Sequence, residues 1–122
     1  MEKLPKINII YEDNHLLVVE KPVNIPVQED ISQDIDMITL LKKYRIKKEN
    51  KKGDAYIGLV HRLDRPVSGI MVFAKTSKAA SRLSEEIRNN NFHKTYIAVI
   101  QGTMPKEGKL EDYLIKDNNK NI

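Results

Sequence analysis

Two apolar runs of strand length, YIGLV at 56–60 and IMVFAK at 70–75, flank the charged segment HRLDRPVSG at 61–69. Short apolar runs that end near glycine and proline are typical of buried strands. The chain must therefore present a compact loop with an acid between two arginines at one end of a pair of strands. This arrangement constrains the fold more than any other feature of the sequence.

Two earlier short strands are predicted, INIIYED at 7–13 and HLLVVEKP at 15–22, joined at the turn-favouring pair Asp13 and Asn14. A helix is expected to follow, with Asp34 as its N-cap. Apolar side chains at three-residue spacing define its inner face, namely Ile35, Ile38, Leu41 and Tyr44.

A second helix, SKAASRLSEEIRNN at 77–90, is expected to begin at Thr76 or Ser77 as cap. Two strands are predicted after it, HKTYIAVIQG at 93–102 and KLEDYLI at 109–115. The order β-β-α-β-β-α-β-β predicts an α+β fold with two helices and a mixed or mainly antiparallel sheet.

Length and composition bound the class of protein. The chain has 122 residues, of which 40% are hydrophobic and 31% charged, as expected for one soluble globular domain over residues 1–122. There is no cysteine, which excludes a disulfide framework and a thiol nucleophile. We expect a cytoplasmic protein without membrane contact, because no N-terminal apolar stretch is long enough for a signal peptide or span.

The formal net charge of +4 is unevenly distributed. The segment KKYRIKKENKK at 42–52 carries seven basic residues and one acid. Such a block can attract phosphates independently of sequence. Charge alone favours the simpler interpretation, a solvated helix end followed by a flexible excursion through Gly53.

Asp64 is the candidate catalytic residue. If residues 60–64 are extended, Arg62 and Asp64 point to one side and Leu63 to the other, where it can pack. A nearby guanidinium favours an ionised carboxylate. The alternative is a structural ion pair that closes a turn before Gly69, and the residues alone leave both interpretations open.

The histidines do not indicate a metal site. His61 could act as a base or ligand, but His15 and His93 are isolated and no ligand spacing is present, so a structural role is favoured. We expect neither metal nor cofactor. A kinase catalytic loop is excluded, because it requires an asparagine five residues after its aspartate, where this chain has Gly69.

A glycosidase requires two carboxylates across the scissile bond. The other acids considered are interpreted as solvated surface, namely Glu85, Glu86, Glu111 and Asp112. One carboxylate between cations suits a different reaction, in which a glycosidic bond is broken and remade without water.

Three stretches in the correct order resemble the RluA-type pseudouridine synthases, which isomerise uridine in ribosomal and transfer RNA. HRLDRPVSGIMVFAKTSKAA at 61–80 is similar to the family's catalytic motif. IIYEDNHLLVVEKPVNIPV at 9–27 resembles its opening segment, and 93–102 resembles its lysine-x-tyrosine strand. The resemblance runs through most of the chain and implies a pseudouridine-synthase-like catalytic core.

The resemblance implies roles for individual residues. Asp64 would be the catalytic aspartate, Arg62 would help to flip the target nucleotide, and Tyr96 would lie against the uracil. We expect His61 and Arg65 to contact the substrate as well. From the residues alone, a core position with its hydroxyl at the rim is favoured for Tyr96.

Two departures from the family pattern affect this prediction. Pro66 and Val67 replace a pair that includes threonine in many relatives, which need not disturb Asp64. No His-Gln-Ile-Arg-like run is present, and no RNA-binding domain of the S4 kind precedes the motif. We therefore expect a partial catalytic domain whose unpaired sheet edge could form a homodimer. The alternative to an enzyme is a non-catalytic RNA-binding remnant.

Overall fold

A computed structural model of the chain describes residues 4–102. It contains four strands and two helices, and their bounds in chain order are β1 Asn8–Glu12, β2 Leu16–Lys21, α1 Met37–Glu49, β3 Gly58–Leu59, β4 Gly69–Ala74 and α2 Ser77–Arg88. The strand predicted at 109–115 lies outside the described residues.

The four strands form one sheet in the order β1-β2-β4-β3, with every neighbouring pair antiparallel. The central pair is regular over six residues, from Leu16 opposite Ala74 to Lys21 opposite Gly69. The pairing of β1 with β2 is interrupted by an irregularity between Ile9 and Tyr11. The predicted α+β class with two helices and a mainly antiparallel sheet is confirmed.

The core lies between one face of the sheet and α1. Alternate residues of the two central strands point into it, because strand side chains alternate between faces. They pack with buried residues of α1, and the members of this core cluster that are 0% exposed are Leu17, Val19, Met37, Leu41, Met71 and Phe73. Helix α2 packs against β3 and β4.

The helix caps were predicted correctly in one case and wrongly in the other. Thr76 caps α2 as expected, and its hydroxyl accepts from the Ala79 backbone N–H at 3.1 Å. The cap of α1 is Asp36 rather than Asp34, and its carboxylate accepts from the Thr39 N–H at 3.2 Å. Asp34 forms an ion pair with Arg65 instead.

The basic segment 42–52 is mainly helical. Helix α1 continues to Glu49 and ends at Asn50, whose left-handed backbone (φ 52°) closes it. The helical residues expected at 42–44 are observed, whereas the flexible excursion expected after Tyr44 is wrong for residues 45–49. Lysines in the last turn lie near the negative end of the helix dipole, which favours the longer helix.

Two predicted strands differ from the structure. The run 56–60 contributes only Gly58–Leu59 to the sheet, and 93–102 forms no strand. A strand requires a neighbour for its backbone hydrogen bonds. Within residues 4–102, strands β1 to β4 pair only with one another, and the alternating residues of 93–102 are exposed, with Tyr96 at 61%.

A buried cation, Lys75, anchors the end of β4 that is remote from the charged loop. Lys75 Nζ donates to the Glu12 carboxylate at 2.7 Å and to the Asp13 carbonyl at 2.8 Å. Glu12 also accepts from Tyr44 and from Lys48, each at 2.6 Å. Burial alone would raise the pKa of Glu12, but the hydrogen bonds from these three donors outweigh it and lower the pKa to about 2.

Candidate functional site

The charged loop connects the neighbouring antiparallel strands β3 and β4 and presents its side chains alternately. Arg62 and Asp64 are exposed, whereas Leu63 packs against the core. Gly69 permits this packing, since a Cβ there would lie 3.1 Å from Leu63 Cδ1. The loop thus directs the Arg62 guanidinium and the Asp64 carboxylate outward together, as the sequence predicts for an extended segment.

Arg62, Asp64 and Arg65 line a cavity of about 240 Å³ whose opposite wall is formed by residues 26–30. No ion pair involving Asp64 is present in the described part of the chain, so the structural ion pair considered for this aspartate is not observed. Its backbone carbonyl accepts from the Val67 N–H at 2.9 Å and closes a turn. The Asp64 side chain is therefore presented to the cavity rather than used to close that turn.

Arg65 is bound to the segment that leads into α1. Its guanidinium donates to Asp34 at 2.5 Å, to the Ser32 hydroxyl at 3.2 Å and to the Asn24 carbonyl at 3.2 Å. The Asn24 N–H in turn donates to the Arg65 carbonyl at 2.8 Å. These contacts hold Arg65, which lines the Asp64 cavity, against residues 24–34, a segment that is distant in sequence.

A buried lysine holds the charged loop in place through hydrogen bonds. Lys21, the last residue of β2, has no exposed surface, and its Nζ donates to the carbonyls of Pro22 (3.0 Å), Arg65 (2.9 Å) and Val67 (2.6 Å). Burial, and then the charge of Arg65, lower the pKa of Lys21, while the charge of Asp64 acts in the opposite direction.

Sequence reasoning missed Lys21. Its signal was its position, because the alternation of β2 places it on the inward face with Leu17 and Val19. A lysine at an inward position is rarely buried without dedicated partners. Two of its three acceptors, the carbonyls of Arg65 and Val67, come from a distant loop that the sequence does not place in space.

His61 and Tyr96 lie in a second cavity, of about 520 Å³, on the other side of Leu63. His61 Nε2 accepts from the Val72 backbone N–H at 3.1 Å, and its ring meets the edge of Phe92 with centroids 5.1 Å apart. Burial, followed by the charge of Lys94, lowers the pKa of His61, which favours the neutral imidazole.

The structure thus divides the five predicted site residues between two adjacent cavities. Arg62, Asp64 and Arg65 share one, His61 and Tyr96 share the other, and Leu63 lines both. Arg62 and His61 also meet at a third cavity beside Lys94. Among residues 4–102 no group of three or more potential ligands is arranged to bind a metal ion. Neither α1 nor α2 is long and apolar enough to cross a membrane.

The fold resembles that of a solved RNA-modifying enzyme domain. The chain superposes on Human RNA Pseudouridylate Synthase Domain Containing 4 with a TM-score of 0.59 and 26% sequence identity, over 69% of this chain and 30% of that one. The four-stranded sheet with its charged loop is therefore a pseudouridine-synthase core.

Sequence comparison gives the family. Residues 15–122 match the RNA pseudouridylate synthase family, and the chain belongs to it. The ribosomal large subunit pseudouridine synthase C of Buchnera aphidicola subsp. Schizaphis graminum is 34% identical over 93% of this chain and 35% of its own length. The tRNA pseudouridine synthase C of Pectobacterium carotovorum is 30% identical over 98% of this chain and 31% of its own. The chain thus spans about a third of the length of these relatives, and the predicted family is confirmed.

Proposed function

We propose that this chain carries the uridine-isomerising site of an RNA pseudouridine synthase, with Asp64 as its catalytic aspartate. The observation that carries the proposal is the exposed Asp64 side chain, which lines a cavity beside Arg62 on a loop fixed by buried Lys21. Family membership supports the reaction class. Relatives act on ribosomal RNA or on tRNA according to their names, so both are candidate substrates.

The reaction is an isomerisation and needs no co-reactant. The bond from ribose C1′ to uracil N1 breaks, the base turns, and C1′ bonds to C5, while C5 loses a proton and N1 gains one. Asp64 can attack the sugar, attack the base or remove a ribose proton. Each role requires a carboxylate that reaches the nucleotide, as the exposure of Asp64 allows.

The remaining site residues are assigned to nucleotide binding. Extraction of a nucleotide from its stack costs a few kcal/mol, which contacts to phosphate and base must offset. Arg62 lies exposed beside Asp64 and can contact the backbone, and the exposed ring of Tyr96 can lie against the uracil. Arg65 lines the Asp64 cavity and His61 lines the second cavity. Each can touch the nucleotide there while its present hydrogen bonds fix the loop.

The direct test is pseudouridine formation in unmodified ribosomal RNA and tRNA, mapped by position. We expect product from the wild-type chain and none above the protein-free background from Asp64→Asn, with RNA binding largely retained. The matched control is Asp54→Asn, which removes an exposed carboxylate that pairs with Lys42 at 3.6 Å and accepts from the Ala55 backbone N–H at 2.9 Å. Equal activity of wild type and Asp64→Asn would refute the assignment of Asp64.

A second candidate function is RNA binding without catalysis. It is favoured by the separation of Asp64 and Tyr96 into different cavities, since a base that contacts both must bridge Leu63. In that case wild type and Asp64→Asn would bind RNA equally, and neither would form pseudouridine.

Homodimerisation through a sheet edge remains a prediction. Strand β1 pairs only with β2 in the described sheet, so its outer edge is available for a second copy. Size-exclusion chromatography at rising concentration tests this pairing, and a monomer at every concentration would contradict it.

A further inference from the structure

The basic residues of segment 42–52 divide into two groups in the structure. Four of the seven lie within ion-pair distance of a carboxylate, and these pairs are Lys42–Asp54, Arg45–Glu49, Lys48–Glu12 and Lys51–Glu49. Within residues 4–102, Lys43, Lys47 and Lys52 have no such carboxylate. The charge of α1 is thus neutralised on one side and left in excess on another.

Lys43 and Lys47 lie on the same side of α1, because residues four apart are neighbours on a helix. Both are exposed, and both line a cavity of about 340 Å³ together with Lys6, which is also exposed. Like charges at this spacing destabilise a helix by about 0.2–0.5 kcal/mol unless an anion lies between them. We call Lys6, Lys43 and Lys47 the α1 lysine surface.

The α1 lysine surface is connected to the proposed catalytic site. Lys43 also lines a neighbouring cavity that contains Arg65, and Arg65 lines the Asp64 cavity. Three cavities therefore adjoin through shared residues, from Asp64 to Lys47. The acid in the connecting cavity, Asp34, is already paired with Arg65, so it does not neutralise Lys43.

We infer that RNA leaving the Asp64 cavity passes Arg65 and that its phosphates bind the α1 lysine surface. The inference rests on the proposed function and adds a second RNA contact region to it. Unpaired lysines along a groove are suited to a phosphodiester backbone, since each neutralised phosphate releases counterions whatever the base sequence. The cavity floor is apolar, with Ile7, Ile9 and Leu40 beneath the lysines.

The test compares two double variants of the 122-residue chain. Lys43→Gln/Lys47→Gln removes two charges from the α1 lysine surface. Lys78→Gln/Arg82→Gln removes two charges with the same four-residue spacing from α2, where both residues are exposed and have no carboxylate partner in the described region. Each protein is titrated with oligouridylates of about 4 and about 16 nucleotides, since ordinary single-strand sites fall in this range.

We expect the α1 double variant to bind the long oligonucleotide about tenfold more weakly at 0.1 M salt, with the slope of log affinity against log salt reduced by about 1.4. Binding of the short oligonucleotide should be unchanged, and the α2 double variant should match wild type with both. Pseudouridine formation by the α1 variant should recover at saturating RNA, because the chemistry at Asp64 is not altered.

Equal weakening in both double variants would overturn the inference, since net charge would then explain it. Unchanged binding of the long oligonucleotide by the α1 double variant would also overturn the inference. Asp64-dependent activity of the wild type would then still support the proposed function. A wild-type chain that binds neither oligonucleotide and modifies no RNA would overturn both.

Discussion

Two buried lysines occupy opposite ends of the central strand pair, and their surroundings differ. Lys21 ends β2 beside the Asp64 loop and is 0% exposed, while Lys75 follows β4 at the other end and is 8% exposed. Lys75 donates to the carboxylate of Glu12. All three observed hydrogen bonds of Lys21 are to backbone carbonyls.

The difference separates a structural end of the sheet from the end that carries the proposed site. At the Lys75 end, the positive charge is neutralised inside the fold by Glu12, whose pKa is lowered to about 2. At the Lys21 end, no hydrogen-bonded carboxylate offsets the buried ammonium in the described structure. A positive charge behind the Asp64 loop attracts anions, which suits a site for RNA.

Of the substitutions that test this difference between the two ends of the sheet, Lys21→Met should have the largest effect. Methionine preserves length and apolar packing, but three carbonyls lose their charged donor. We expect the free energy of unfolding to fall by about 4 kcal/mol, measured by urea denaturation. Pseudouridine formation should also fall, even at temperatures where the variant is folded, because the carbonyls of Arg65 and Val67 anchor the Asp64 loop. A folded Lys21→Met chain with wild-type activity would show that Lys21 does not position this loop.

Acid should weaken the hydrogen-bond network at the Lys75 end of the sheet. The pKa of Glu12 is lowered in the folded chain, from 4.5 to about 2, so its contribution is fully present above pH 4.5 and is lost as pH falls towards 2. The full shift corresponds to about 3 kcal/mol. Glu12→Gln should therefore flatten the dependence of unfolding free energy on pH between these values.

The control for this measurement is Glu85→Gln, which removes an exposed carboxylate from α2. An acid dependence that is identical in Glu12→Gln and wild type would show that the network around Glu12 does not depend on its charge.

Lys75→Met should lower the free energy of unfolding by about 2 kcal/mol, less than Lys21→Met, because Glu12 retains Lys48 and Tyr44 as donors. In a double-mutant cycle with Glu12→Gln, the two losses should sum to more than the loss in the double variant. Pseudouridine formation should match wild type, since Lys75 lies at the far end of the strands. Strict additivity would contradict the pairing, and a loss of activity would contradict the division into two ends.

The parts of the fold that depend on local pattern were predictable. Short apolar runs bounded by turn residues predicted β1, β2 and β4, and the N-cap preference of threonine predicted Thr76, because neighbours in sequence determine these features. The cap of α1 was not predictable in the same way. Asp34 and Asp36 are both suitable caps, and the choice depends on Arg65, which binds Asp34 from 31 residues away.

The candidate site was predictable in its residue types but not in its arrangement. The motif identified Arg62 and Asp64, and the structure places both at one cavity. The position of Tyr96 was predicted from alternation that requires a neighbouring strand, and no described strand pairs with its segment. The loop support by Lys21 depends on contacts 44 and 46 residues away, which no local pattern shows.

The smallest predicted effect is the pH dependence of His61, which lines the second cavity, next to the Asp64 cavity. Burial, and then the charge of Lys94, lower its pKa in the folded chain, so folding becomes less favourable as pH falls below the ordinary value of 6.5. NMR titration should show a pKa below 6.5, and Lys94→Gln should raise it only partly, because burial is the larger cause. Lys78→Gln should leave it unchanged. A His61 that titrates above 6.5 would contradict the buried imidazole that accepts from Val72. A neutral His61 at pH 7 adds no positive charge beside the Asp64 loop, so the buried charge behind that loop is supplied by Lys21.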